Sequence, residues 1–344
     1  MSASAIAAIA ADPPDLTDAE VLDVLDSAYG LRGDLTPLVS ERDQNFRLDA
    51  AEGQRYVVKI ANLSEPEEIT DFQIRALIHL EQSGCPVPVP RVVRTASGRV
   101  SESAYAGDAC YLLRVVTYLP GQPLEAVTPD TELAYDLGRS LADLDSALQS
   151  FSHPGESQVL LWDMQRASEV RGIIGHVPEP GMRDRLHECL DAFEKRVLPV
   201  FPSLRSQVIH NDLNPGNVLV SDTKPMGVAG VIDFGDMLRA PLVIDLAIAA
   251  SYMRRGDHAL DVIKELVRGF ESVIALEQSE RALFYDLVRT RLATTVSILH
   301  WRADARSADD PYLKKALAER SAERFFDRVT ALGRRTFDRH IFDD

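Results

Sequence analysis

Between residues 207 and 236 the chain reads QVIHNDLNPGNVLV and then, after a polar turn, GVIDFGD. Two apolar runs that suit short strands bracket His210, Asp212, Asn214 and Asn217, and a third ends in Asp233, followed by Phe234 and Gly235. A polar loop pinned by strands is where reactive groups are commonly displayed. A carboxylate beside a hydroxyl takes or orients its proton, and amide and carboxylate oxygens are hard ligands for Mg²⁺. Phosphoryl transfer needs those two provisions and one more, a cation on the phosphates that stay behind.

H-x-D-x-x-x-x-N followed by D-F-G matches, in order and spacing, the catalytic-loop and metal-binding signatures of kinases. Asp, Asn, Pro and Gly are also ordinary turn residues, so each short motif alone is weak evidence. Turn preference does not account for the order of Asp212, Asn217 and Asp233 together. The cation is then expected on the third strand of a sheet earlier in the chain, and Lys59 stands there, near the end of the apolar run YVVKI.

The elements that position these residues follow from period and punctuation. A T-x-x-E pattern at Thr17 and Glu20 predicts a helix start, with Gly30 as its stop. Residues 35–60 alternate as short β-type runs separated by turns, an antiparallel meander. A helix is predicted from about Pro66 to Gln82, with Ile69, Phe72, Leu77 and Leu80 on one face, and the apolar strand CYLLRVVTYL ends at Pro120-Gly121. From about residue 131 the spacing of Leu133, Leu137, Leu141, Leu144 and Leu148 is helical, and helix dominates again after Pro241. The expected architecture is α+β and two-lobed. A loose tail over 1–14 precedes a sheet-based nucleotide-binding lobe over 15–119, and a mainly helical catalytic and substrate-binding lobe follows over 120–344.

With LWDM (Leu161 to Met164), HNDLNPGNVLV and GVIDFGDM, the chain resembles the aminoglycoside phosphotransferase and choline kinase superfamily, and within it the hydroxylysine-kinase-like branch. Asn211 stands where protein kinases carry Arg, and no A-P-E motif follows Asp233. The resemblance implies transfer of the γ-phosphoryl of ATP or GTP, with Mg²⁺, to a hydroxyl of an amino acid, amino alcohol, sugar or aminocyclitol. It implies Asp212 as catalytic base, Asn217 and Asp233 as metal ligands, and Lys59 as the phosphate-binding cation. Val116, Thr117, Tyr118 and Leu119 are implied as the hinge that reads the nucleobase, and His210 and Asp245 as braces of the loop. The phosphate-covering turn SERDQNFRL lacks glycine, which leaves Ser40, Gln44 and Asn45 as its candidate contacts. The helix position of the carboxylate partner of Lys59 falls on Gln73, which leaves Lys59 to a neutral hydrogen bond or to another acid such as Asp71 or Glu68.

The 344 residues carry 37 basic and 53 acidic side chains, a net charge of −16, which argues against nucleic acid or an anionic membrane as the main partner. Three widely spaced cysteines support neither a disulfide framework nor a zinc site. No basic leader and no apolar run of membrane-spanning length is evident, so a cytoplasmic location is expected. The acidic balance favours a cationic acceptor, with Asp236, Tyr252 and Trp301 as candidate contacts, although for Trp162 and Trp301 a core anchor is the favoured reading. A hydroxylysine-like amino acid or amino alcohol is the first acceptor class. An aminoglycoside 3′-type phosphotransferase and a nucleotide-binding module without turnover are the alternatives.

Overall fold

The chain, seen in a computed structural model that describes residues 13–40, 42–51, 53–224, 226–305 and 317–343, begins with helix α1 (Asp18–Val24). Most of the tail expected over residues 1–14 therefore lies outside the described residues. Thr17 and Glu20 form the capping box, the Thr17 N–H donating to Glu20 Oε2 at 2.7 Å. A wider π turn continues to Tyr29, and Gly30, at φ 67°, ends it as expected of a residue free to enter left-handed backbone.

Strands β1 (Gly33–Leu38), β2 (Gln44–Ala50) and β3 (Arg55–Ile60) form the antiparallel meander, and β6 (Ala109–Thr117) pairs with β3. The other edge of β6 takes the two-residue β4 (Val92–Val93) and β5 (Glu102–Ala106). Side chains alternate between the sheet's faces. Phe46, Leu48, Val58, Ile60, Leu113 and Val115 bury one face against Val21 of α1 and Leu25 of the π turn. The opposite face therefore carries Asn45, Lys59 and Arg114, which the register places side by side.

Helix α2 (Glu67–Gln82) joins the core of the larger lobe, because Phe72, Ala76, Leu77 and Leu80 pack there and Phe72 stacks on Phe151 at 5.8 Å. That lobe holds α3 (Thr131–Leu148), α4 (Pro180–Arg196), α5 (Val243–Tyr252), α6 (Ala259–Glu271), α7 (Gln278–Ala305), α8 (Ser321–Leu332) and α9 (Arg334–Phe342). A 3₁₀ run, Met164–His176, links the α3 side to α4. Helices α3 and α6 touch backbone to backbone: a Cβ on Gly138 would lie 1.9 Å from the Leu266 carbonyl oxygen.

Two small sheets interrupt the helices. Strand β9 (Val218–Val220) lies between β7 (Gln122–Pro123) and β10 (Val228–Val231), and β8 (Ser206–Ile209) pairs with β11 (Leu238–Pro241). The pairing of β11 was not foreseen, since LRAP carries an Arg and a Pro and has no strand-like alternation. The architecture is the two-lobed α+β arrangement expected. No helix among the described residues is long and apolar enough to cross a membrane.

Candidate active site

The loop after β8 is set from below by one carboxylate. Asp245, in the first turn of α5 and wholly buried, accepts the N–H of His210 at Oδ2 and of Asn211 at Oδ1, both at 2.8 Å. Asn211 sits at φ 64°, a left-handed conformation that Asn tolerates better than most residues, and its Nδ2 donates to the Asp236 carbonyl at 3.0 Å. Behind Asp245 lies Asp145, also wholly buried, whose carboxyl is pushed strongly upward by burial and by the Asp245 charge. Burial beside a second carboxylate favours the neutral form of Asp145 beneath the loop.

His210 is buried and neutral, its pKa depressed to about 4 by loss of water. A neutral ring offers one donor and one acceptor. Nε2 donates to the Ile232 carbonyl at 3.2 Å, and Nδ1 accepts the Asp212 N–H at 3.3 Å. The ring also meets Phe234 edge-on at 4.9 Å, so His210 joins the Asp212 loop to the segment carrying Asp233.

Asp212 Oδ2 accepts from Asn214 Nδ2 and Asn217 Nδ2, each at 2.8 Å. Asn217 Nδ2 also donates to the Asp212 carbonyl at 3.0 Å, so both of its contacts use the amide nitrogen and Oδ1 is the atom left for a cation. On the other side of Asp212, Oδ1 lies 3.6 Å from Nη2 of Arg291, whose side chain is 1% exposed. Burial, then the neighbouring Asp236 carboxylate, push Asp212 up to about 8, while Arg291 and Asn214 act in the opposite sense. Asp233, at φ 62°, is held below the ordinary carboxylate range chiefly by Lys59, whose Nζ lies 3.3 Å from its Oδ1.

These groups face one cavity of about 500 Å³ between the lobes. Ser40, Asn45, Lys59, Glu65 and Gln73 line it on one side, Asp212, Asn214, Asn217, Asp233 and Asp236 on the other. Tyr252 also lines it, together with Trp162, Arg254, Thr295, Leu299 and Arg302. Ser40 Oγ accepts the Asp43 N–H at 3.2 Å.

Several candidates sit elsewhere. The Gln44 amide is closed on the backbone of Leu16, accepting at 2.9 Å and donating at 2.8 Å, so it does not face the cavity. Trp301 packs half-buried against the core and is not among the lining residues, and Trp162 takes that role. Gln73 bonds Arg114, not Lys59: Arg114 Nη2 donates to Gln73 Oε1 at 2.6 Å. A cation directly across the strand pair from Lys59 thus occupies the helix position's partner, and Lys59 turns to Asp233. Asp71 is engaged with Arg75 and His153, so it does not pair with Lys59 either. Val116 and Thr117 end β6, and Tyr118 and Leu119 follow it, where the Thr117 and Tyr118 N–H groups bond Arg91 and Arg55 carbonyls.

Asp236, proposed as an acceptor contact, lies 3.6 Å from Arg42 of the small lobe. Arg42 and Arg291 were missed. The one signal for Arg291 is a charge inside the apolar run of α7, since arginine is rarely fully buried without a task.

A family model described as "Phosphotransferase enzyme family" matches residues 34–283. The chain is 27% identical to a hydroxylysine kinase of Danio rerio over 343 residues, covering 96% of each chain. Among solved structures, it is similar to a microcompartment-associated aminopropanol kinase, with TM-score 0.72, 18% identity and 92% and 97% of the two chains covered. It is also similar to an amicoumacin kinase in complex with AMP-PNP, Ca²⁺ and Ami, with TM-score 0.66, 17% identity and 91% and 94% covered.

Proposed function

The chain belongs to the phosphotransferase enzyme family, and we infer that it is a kinase that moves the γ-phosphoryl of a nucleoside triphosphate onto the hydroxyl of a small, amine-bearing metabolite such as a hydroxylysine-like amino acid. The observation that carries this reading is that Asp212, Asn217 of the same loop and the Lys59–Asp233 pair all line one cavity. Hydroxylysine as an acceptor comes from the relatives' names, as does the aminopropanol of the structural neighbour.

In this reading Asp212 receives the acceptor hydroxyl's proton as its oxygen bonds to the γ-phosphorus and the bond to the β-phosphate oxygen breaks. Asn214 and Asn217 fix the carboxylate through Oδ2, which leaves Oδ1 as the atom turned toward Arg291 and the acceptor. Lys59 meets the non-transferred phosphates, and Ser40 and Asn45 cover them. One amide oxygen and one carboxylate form a donor set that suits Mg²⁺, which takes few protein ligands and completes its shell with phosphates and water. Bound by Asn217 and Asp233, Mg²⁺ would neutralise phosphate charge. Residues 15–119 serve as the nucleotide lobe in this proposal, and the Leu119 N–H is the hinge donor for the base of ATP or GTP.

A coupled turnover assay with Mg²⁺ over 5-hydroxylysine, homoserine, ethanolamine, choline and aminoglycosides tests the reading. Turnover is expected with a small hydroxyl amine, and Asp212→Asn should lower it by a factor on the order of 10²–10⁴ while nucleotide affinity stays. A mutant that keeps wild-type rates would remove Asp212 from the base role.

A further inference from the structure

Beneath the loop that carries Asp212 lies a titratable group that the transfer step does not use. Asp145, near the end of α3, is wholly buried, and its carboxyl comes within hydrogen-bonding reach of that of Asp245. Among the described residues no donor meets either of its oxygens. The amide of Gln207 on β8 donates at 2.6 Å to the Asp145 backbone carbonyl and so does not serve the carboxyl. Asp245 is provided for differently, since its two oxygens accept the N–H groups of His210 and Asn211.

An ionised carboxylate buried without a donor loses its hydration and regains nothing, and a second carboxylate at contact distance adds repulsion. A proton between the two removes both penalties. The groups around them decide where it sits. Burial raises the Asp245 carboxyl, and the N–H groups of Asn211 and His210, with the Arg291 guanidinium of α7, act in the opposite sense. The cation opposite Asp145 is Arg205, just ahead of β8, and both oxygens of Glu280 hold it at 2.8 and 2.7 Å. His210, in the loop above, is neutral.

For the kinase reading above, we propose that Asp145 is a positioning residue of the catalytic loop: as a neutral acid it donates a hydrogen bond to Asp245 and so aims both Asp245 oxygens at the His210 and Asn211 N–H groups. A carboxylate has lone pairs enough to accept this third bond. A buried carboxylic acid kept neutral by its surroundings can act as a donor at neutral pH. The terminal torsion of an aspartate is broad on its own, so the added bond selects the one orientation that serves two consecutive N–H groups. Through them it fixes the left-handed Asn211 and the direction of Asp212.

The test separates a donor from a charge. Asp145→Ala should lower kcat by roughly 10–100-fold with nucleotide KM little changed, the size of one hydrogen bond to a charged group. Asp145→Asn, whose amide donates at every pH, should recover most of that loss. Folding of the wild type takes up a proton at Asp145, so thermal stability should fall as pH rises above the ordinary carboxylate range, and in Asp145→Asn the fall should be shallower by one proton. The infrared spectrum of the wild type at neutral pH should hold a carboxylic-acid carbonyl band that Asp145→Asn lacks. An Asn variant as slow as the Ala variant, coincident stability slopes, or an acid band unchanged in Asp145→Asn would each overturn the proposal and leave the kinase reading standing. No turnover with any acceptor would sink the kinase reading, and the slope and the band would then decide the role of Asp145 by themselves.

Discussion

Asp212 lies between opposing influences, and their balance is measurable. A base acts in its ionised form, so kcat/KM should rise with pH through the folded-state pKa of Asp212. That value is pushed up to about 8 by burial and by Asp236, against an ordinary 3.8. The acid limb of the profile is therefore expected in the neutral to mildly alkaline range, far above a solvated carboxylate. Asp236→Asn removes a like charge and should move the limb to lower pH, whereas Arg291→Met removes the opposing cation and should move it higher. A limb that stays put in both variants would show that these neighbours do not act on the base. Stability has the opposite sign: between the two pKa values the native state holds a proton the unfolded chain has lost, so this group's contribution declines as pH rises. Of the residues involved, Asp212, Asn217, Asp233 and Lys59 were legible because their chemistry is encoded in residue type, order and flanking strands. Arg291 was not, because its contact with Asp212 joins a helix to a loop far apart in sequence and no local pattern records such a contact. Gln44 looked like a phosphate contact for its place in a polar turn, yet the packing of Leu16 against β2 decides its partner.

The element that makes the site is the loop from His210 to Asn217, and it is held by an anchor in another element. Asp245 binds two consecutive N–H groups with its two oxygens, which fixes the left-handed Asn211 and turns Asp212 to the cavity. In Asp245→Asn one oxygen becomes an NH₂ group facing an N–H donor, leaving a buried donor without an acceptor. The expected loss is about 1–3 kcal/mol of stability, read by denaturant unfolding, together with a fall in kcat that exceeds the change in nucleotide KM. Unaltered stability and turnover would mean the loop keeps its shape without the anchor. Local signals recovered most elements here: the capping box of α1, the meander, α2 with its apolar face, and the strands on either side of the loop. The turn-rich segments were harder. Strand β11 forms because β8 offers an unpaired edge to LRAP, and this is a tertiary cause that propensity cannot register. The same limit explains the exchange of Trp162 for Trp301, since neither lies in a stretch whose period sets its direction.

At the scale of the molecule, ion pairs of Lys59 with Asp233 and of Arg42 with Asp236 span the cleft. The first joins the cation proposed to bind phosphate to a proposed metal ligand, so each satisfies the other until nucleotide and metal supply better partners. Nucleotide alone would bring triphosphate charge against Asp233 with Lys59 as the main counterweight, and metal alone would find only two protein ligands. The two should therefore bind together far better than either does separately. A ligand that binds the native state alone stabilises it by about 2.7 kcal/mol at a concentration of one hundred times Kd. Thermal unfolding with Mg²⁺ and a non-hydrolysable nucleotide should thus show a raised Tm that EDTA abolishes and that Zn²⁺ does not restore. Asp233→Asn should lose the metal-dependent part of the shift, while Lys59→Met should weaken the shift at every metal concentration because it removes a contact to phosphate. Should nucleotide raise Tm equally in EDTA, the assignment of Asn217 and Asp233 to the metal fails, and Lys59 remains as the determinant of nucleotide binding.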